Sequence, residues 1–111
     1  LHDALPIFLL EAKQRGEQVL GYGAAAKGNT LLNYAGIMED LLPAVADRAV
    51  SKQGKFLPGS HIPVISPEQL RIENPNVVLV IPWNLIQELK SQLNFSVLVT
   101  AIPKIKTIFR D

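Results

Sequence analysis

The 111-residue chain contains no cysteine, so disulfides, thiolate zinc sites and cysteine nucleophiles are excluded. It has no apolar run near the roughly 20 residues of a membrane span, and no signal-peptide pattern, so the cytoplasm is the expected location. Charge of one sign is also missing. Eleven Lys and Arg stand against 10 Asp and Glu, for a formal net charge of +1. With no run of Lys or Arg, nothing argues for a nucleic-acid surface. No Ser-His-Asp spacing, no motif of paired carboxylates and no cluster at metal-ligand spacing occurs. An initiator Met is absent, and the opening Leu1-His2-Asp3-Ala4-Leu5-Pro6-Ile7 has no turn or cap logic. A fragment is therefore expected, with residues 1–16 a scar plus a linker helix and residues 17–111 the domain proper. His2 and Asp3 carry no functional weight.

What remains is the composition of an ordinary soluble globular protein, in a single domain able to bury roughly two-thirds of its unfolded surface. One stretch stands out: Gly21-Tyr22-Gly23-Ala24-Ala25-Ala26-Lys27-Gly28-Asn29-Thr30. The apolar Val19-Leu20 before it reads as the end of a strand, and Leu31-Leu32-Asn33-Tyr34-Ala35 after it reads as a helix. A glycine-rich turn between strand and helix lets the chain approach a ligand closely, and the helix's first turn offers unpaired N–H groups. The spacing Gly21-x-Gly23-x-x-Ala26 fits the dinucleotide fingerprint, which expects an acid about 20 residues on. Asp47 lies 21 residues after Ala26. The spacing Gly23-x-x-x-x-Gly28 also approaches a triphosphate P-loop, but Asn29 stands where Lys is required, and Lys27 precedes the glycine. Triphosphate hydrolysis is rejected on that ground. The bland alternative is that these glycines only let a helix pack closely on a sheet.

Along the chain, strands are expected near 18–22, 43–47, 62–65, 77–81 and 97–102. Phe8 to Arg15 suits a short amphipathic helix stopped by Gly16, and 25–35 a helix ended by Gly36. Ser51 to His61, with two glycines and a proline, reads as a loop. Ser66, Pro67 and Glu68 predict the capped start of a short helix. Val77-Val78-Leu79-Val80-Ile81 reads as a central parallel strand buried on both faces. Leu85, Ile86, Leu89 and Leu93 recur at helical spacing. The tail Lys104 to Asp111 either adds an edge strand or leads out of the domain. Alternating strands and helices imply an α/β fold: a small Rossmann-like parallel sheet of about five strands, ordered 3-2-1-4-5, with helices on both faces.

In such a sheet the ligand binds outside the carboxyl ends of the strands. Three unusual clusters fall there: Gly21 to Thr30 after strand one, Asp47 and the Lys52–His61 loop after strand two, and Pro82-Trp83-Asn84 after strand four. Lys27, Lys52 and Lys55 can clamp a pyrophosphate as point charges. The loop is equally readable as solvated surface. His61 is the one credible histidine, though a lone loop His is more often a hydrogen-bonding surface residue than a general base. Trp83 can stack on a base or sugar, or simply anchor a helix. These groups suit holding an anionic ligand better than performing chemistry on it.

Together, Gly21 to Thr30, Asp47-Arg48, Lys52 to Pro63 and Pro82-Trp83-Asn84 resemble the C-terminal domain of bacterial sugar C-methyltransferases, over residues 18 to 103. The resemblance implies a parent with an N-terminal zinc-binding domain and a central S-adenosylmethionine domain, both outside this chain. Such a parent methylates a carbon of a nucleotide-linked deoxy keto-sugar. It implies that this domain has no catalytic residue, cofactor or metal of its own. Its role would be to hold the nucleotide-sugar against the catalytic domain. The substrate-binding set is then Gly21, Gly23, Ala24, Ala25, Lys27, Gly28, Asn29, Thr30, Asp47, Lys52, Lys55, His61, Trp83 and Asn84. The expected partners are the nucleotide-sugar and the upstream methyltransferase domain of the same polypeptide, with no nucleic acid and no membrane. The chain departs from the family pattern after Asp47-Arg48, where Ala49-Val50 replace Asn-Pro.

Two other readings stay open. Gly21-x-Gly23, Asp47 and the Ile62-Pro63-Val64-Ile65 run also resemble the NAD- or CoA-binding Rossmann modules of nucleotide-sugar dehydratase-like proteins. A scaffold domain that binds nothing and only packs on its neighbour is the third.

Overall fold

The computed structural model describes residues 4–24, 26–81, 97–100 and 106–109. Ala25, the Pro82-Trp83-Asn84 cluster and the helix expected from Leu85, Ile86, Leu89 and Leu93 lie outside the described residues. The elements in order are α1 (Ala4–Gln14), β1 (Val19–Tyr22), α2 (Ala26–Tyr34), β2 (Val45–Ala46), β3 (Val64–Ile65), α3 (Pro67–Glu73), β4 (Val77–Val80), β5 (Val97–Thr100) and β6 (Lys106–Phe109).

The strands form one six-stranded sheet in the order β3-β2-β1-β4-β5-β6. All neighbours from β3 to β5 are parallel, and β6 closes the far edge antiparallel to β5. The first five strands thus take the expected 3-2-1-4-5 arrangement, and the tail supplies a sixth. β2 and β3 are shorter than expected. The ladder bonds nevertheless run past their ends, from Gly21 N–H to Ala44 O at 2.9 Å and from Asp47 N–H to Ile65 O at 3.0 Å.

Side chains alternate across the sheet with period two, and each face has its own cluster. Val19, Val45, Val77, Leu79 and Ile81 pack with Leu5, Leu9 and Ala12 of α1 and Leu32 of α2. Leu20, Tyr22, Ala46, Val78 and Val80 pack with Leu70 of α3 on the opposite face. Helices therefore cover both faces. β4 sits between β1 and β5, which explains why its sequence is apolar without interruption.

Helix α1 begins at Ala4, earlier than the amphipathic pattern from Phe8 predicts, and its first turn buries Leu5 in the core. Both α1 and α2 end in the same way. Gly16 and Gly36 adopt positive φ, and the next residue bonds back to the last turn, Glu17 N–H to Ala12 O and Ile37 N–H to Leu32 O, each at 2.9 Å. This arrangement satisfies the carbonyls that a helix end leaves open. α3 starts as its sequence dictates. The Ser66 hydroxyl accepts from Gln69 N–H at 3.0 Å and Pro67 occupies the first helical position.

Residues 51–61 are more ordered than a plain loop. Gly54 N–H donates to Val64 O at 2.9 Å, Val64 N–H to Lys55 O at 2.8 Å, and Leu57 N–H to Ile62 O at 2.8 Å. The segment doubles back antiparallel along β3 and covers the edge of the sheet. An exposed edge strand invites pairing with other chains, and this segment occupies those bonding groups. No helix among the described residues is long and apolar enough to cross a membrane.

Leu79 is fully buried at the centre of the sheet. Leu79→Ala is expected to cost about 2–5 kcal/mol. A chemical-denaturation midpoint that does not move would show that β4 is not the core of this sheet.

Candidate functional site

The candidate site lies at the carboxyl edge of β1 and β2, and the glycines that mark it do different things. Gly21 is inside β1, where an added Cβ would come within 2.9 Å of Val45 Cγ2 and 3.5 Å of Leu42 Cδ2. A Cβ on Gly28 would collide with Ile81 Cγ2. These two glycines allow close packing, as the bland alternative holds: one admits Val45 and Leu42 beside β1, the other seats α2 on the end of β4. Gly23 is the turning residue, with φ +101°, a conformation that side chains other than glycine rarely adopt.

The turn is held by Asp47. Its Oδ2 accepts from Ala24 N–H at 2.7 Å and its Oδ1 from Ala49 N–H at 2.8 Å. The second bond closes a local turn in which an aspartate oxygen stands in for a backbone carbonyl. Only the backbone of residue 49 takes part in that bond. The Asp47 carbonyl in turn accepts from Gln53 Nε2 at 2.8 Å. Lys52 reaches across from the loop and donates from Nζ to Ala24 O at 3.2 Å. Ala24 is thus gripped on its N–H by an acid and on its C=O by a base.

This network changes which donors face a ligand. Gly23 N–H is spent on Ala46 O at 2.7 Å, and Ala24 N–H on Asp47. The donors of the stretch left for any ligand are then those at the start of α2, whose first N–H groups have no partner within the helix. Lys27 lies in that first turn. Asn29 follows on the same helix, and its buried Oδ1 has no hydrogen-bond partner among the described residues. Thr30 is exposed on the next position.

Lys52 and Lys55 line one depression of about 250 Å³ with Ala24, Phe56, Leu57 and Pro58. Its far wall is fixed to α2, because Asn33 Nδ2 donates to Pro58 O at 3.0 Å. His61 is not brought to this place. It lines a second shallow depression with Glu39, Pro43, Phe56 and Pro63, toward the amino edge of β2 and β3, so that Phe56 borders both depressions. The pairing of residues 54–57 along β3 carries the chain away from the glycine turn before His61 is reached. Ala25, Trp83 and Asn84 lie outside the described residues. Among the described residues, no group of three or more His, Asp or Glu is placed to hold a metal.

Gln53, Asn33 and Phe56 were not singled out by sequence reasoning. Gln53 and Asn33 act through single hydrogen bonds to backbone carbonyls, which leave no spacing pattern. Phe56 had a signal: an aromatic residue between Lys55 and Leu57 in a segment rich in glycine.

The model of the C-methyltransferase C-terminal domain family matches residues 1–102. The C-methyltransferase NovU of Streptomyces niveus is 43% identical over 74 residues, which make up 67% of this chain and 18% of that protein. The chain therefore spans less than a fifth of the length of that curated relative.

Asp47→Ala would leave the N–H groups of Ala24 and Ala49 without an acceptor, which is expected to cost about 1–3 kcal/mol. Amide exchange at both positions should accelerate. Unchanged exchange at Ala24 would show that the carboxylate does not hold the glycine turn.

Proposed function

This chain belongs to the C-methyltransferase C-terminal domain family, and on that premise we propose that it is the substrate-holding domain of an S-adenosylmethionine-dependent nucleotide-sugar C-methyltransferase. In this reading it grips the nucleotide-sugar, while methyl transfer and zinc binding belong to other domains of a cytoplasmic parent polypeptide. The observation that carries the proposal is the shape and charge of the carboxyl edge. A fixed glycine turn opens a helix beside a depression lined by two lysines.

The pyrophosphate is assigned to the first turn of α2, approached by Lys27 and flanked by Lys52 and Lys55. Positive side chains and the amino end of a helix act on the same anion. Asp47 serves the site by holding the turn. Each of its oxygens keeps a second lone pair for a ribose or sugar hydroxyl. Gly21 and Gly28 shape the site by packing rather than by contact. His61 stands on the other side of the loop and has no part in this grip.

The dehydratase-like alternative gains no support from the family match.

Calorimetry on the chain with a deoxythymidine-diphosphate sugar, against NAD at equal concentration, tests the proposal. Saturable binding of the nucleotide-sugar is expected. Binding of NAD alone would favour the alternative instead. Lys27→Ala is expected to weaken the nucleotide-sugar by about 1.5–3 kcal/mol, the range for a charge-assisted hydrogen bond. An unchanged affinity in that variant would move the phosphate away from α2.

A further inference from the structure

We propose that Phe56 is the stacking platform for the nucleobase of the bound ligand. The inference rests on the nucleotide-sugar reading above and adds to it the residue that recognises the base. Phe56 leaves 64% of its surface exposed. Other apolar side chains are also exposed, Tyr34, Val50 and Ile72 among them, but Phe56 differs in its setting. It stands between the two depressions, lining the one with Glu39 and His61 and also the one with Lys52, Lys55 and Ala24 of the glycine turn, and only the second offers lysines for an anion.

Its backbone is held on both sides. Val64 N–H donates to Lys55 O at 2.8 Å and Leu57 N–H to Ile62 O at 2.8 Å, while Phe56 itself bridges Pro63. Asn33 fixes Pro58 two residues further on. A segment pinned at so many points fixes the backbone from which the ring projects. Because that backbone is set by the fold, a ligand orders only the ring's own torsions.

The chemistry of the depression selects the ligand class. Phe56, Leu57 and Pro58 offer an apolar surface, and Lys52 and Lys55 line the same depression. Among the described residues the Lys55 ammonium forms no hydrogen bond or ion pair, so its charge is available. A flat aromatic group linked to an anion satisfies both parts, and a nucleoside diphosphate is such a molecule. Base–aromatic stacking needs no base-specific hydrogen bond, because every base has a π-face.

The test measures binding of deoxythymidine diphosphate and of inorganic pyrophosphate to the chain, unchanged and as Phe56→Ala and Phe56→Trp. In the unchanged chain deoxythymidine diphosphate is expected to bind about tenfold tighter than pyrophosphate, a typical margin for one stacked base. Phe56→Ala removes most of that margin and leaves pyrophosphate affinity unchanged, whereas Phe56→Trp retains it. In proton NMR the thymine methyl and H6 signals shift upfield on binding, and the shift falls in Phe56→Ala. Circular dichroism confirms that this exposed position can be changed without unfolding. If Phe56→Ala binds deoxythymidine diphosphate as tightly as the unchanged chain, or if the unchanged chain does not prefer it to pyrophosphate, the platform is overturned and the nucleotide-sugar reading survives. If neither compound binds and the deoxythymidine-diphosphate sugar also fails, the platform and the nucleotide-sugar reading fall together.

Discussion

The carboxylate of Asp47 is the constraint on which the carboxyl edge depends. It ends β2, yet its two oxygens bind backbone N–H groups of two different segments, the turn after β1 and the start of the 51–61 loop. Lys52 completes the arrangement by binding the carbonyl of the same Ala24. The two peptide units that flank one residue are thereby held by side chains from the neighbouring strand's end and loop. Helix α2 begins two residues further on, so these bonds anchor the chain just ahead of its first N–H groups. Gly28 then seats the helix on Ile81 with no side chain between them. A methyl group there would push the helix away from β4 and spread the edge.

The loop serves two ends at once. Its backbone pairs along β3 and closes an edge that would otherwise offer free donors and acceptors. The same pairing sets Lys55 beside the glycine turn, His61 beside Glu39, and Phe56 where it borders both depressions. A structural requirement of the sheet thus determines which side chains can meet a ligand. Loops carry binding residues most effectively when a rigid scaffold positions them, and here the scaffold is the sheet edge itself.

The sequence was most legible where one physical demand governs a segment. The uninterrupted apolar run Val77 to Ile81 can satisfy only a strand covered on both faces, and it lies at the centre of the sheet. Ser66-Pro67 gave the start of α3 through its cap alone. Gly16 and Gly36 marked helix ends because a left-handed residue is needed there. Legibility was lower where several demands compete. The glycine-rich stretch fits a phosphate turn and close packing equally by spacing, and only the coordinates separate Gly23, which turns, from Gly21 and Gly28, which make room. Asp47 was placed correctly at the end of β2, but the direction of its carboxylate depends on where the turn after β1 lies. His61 and Phe56 are five residues apart in one segment and border one depression, and nothing local tells that Phe56 also borders the depression of the glycine turn while His61 does not. The early start of α1 was hidden because Ala4 to Ile7 lacks any cap signal, while the burial of Leu5 comes from tertiary packing.

Backbone amide shifts recorded while the isotope-labelled chain is titrated with a deoxythymidine-diphosphate sugar test the central claim most directly. The account predicts perturbations centred on residues 23–30 and on 51–57, with the amides of Glu39 and His61 unmoved. Perturbations centred on Glu39, His61 and the amino edge of the sheet, with the glycine turn silent, would contradict it.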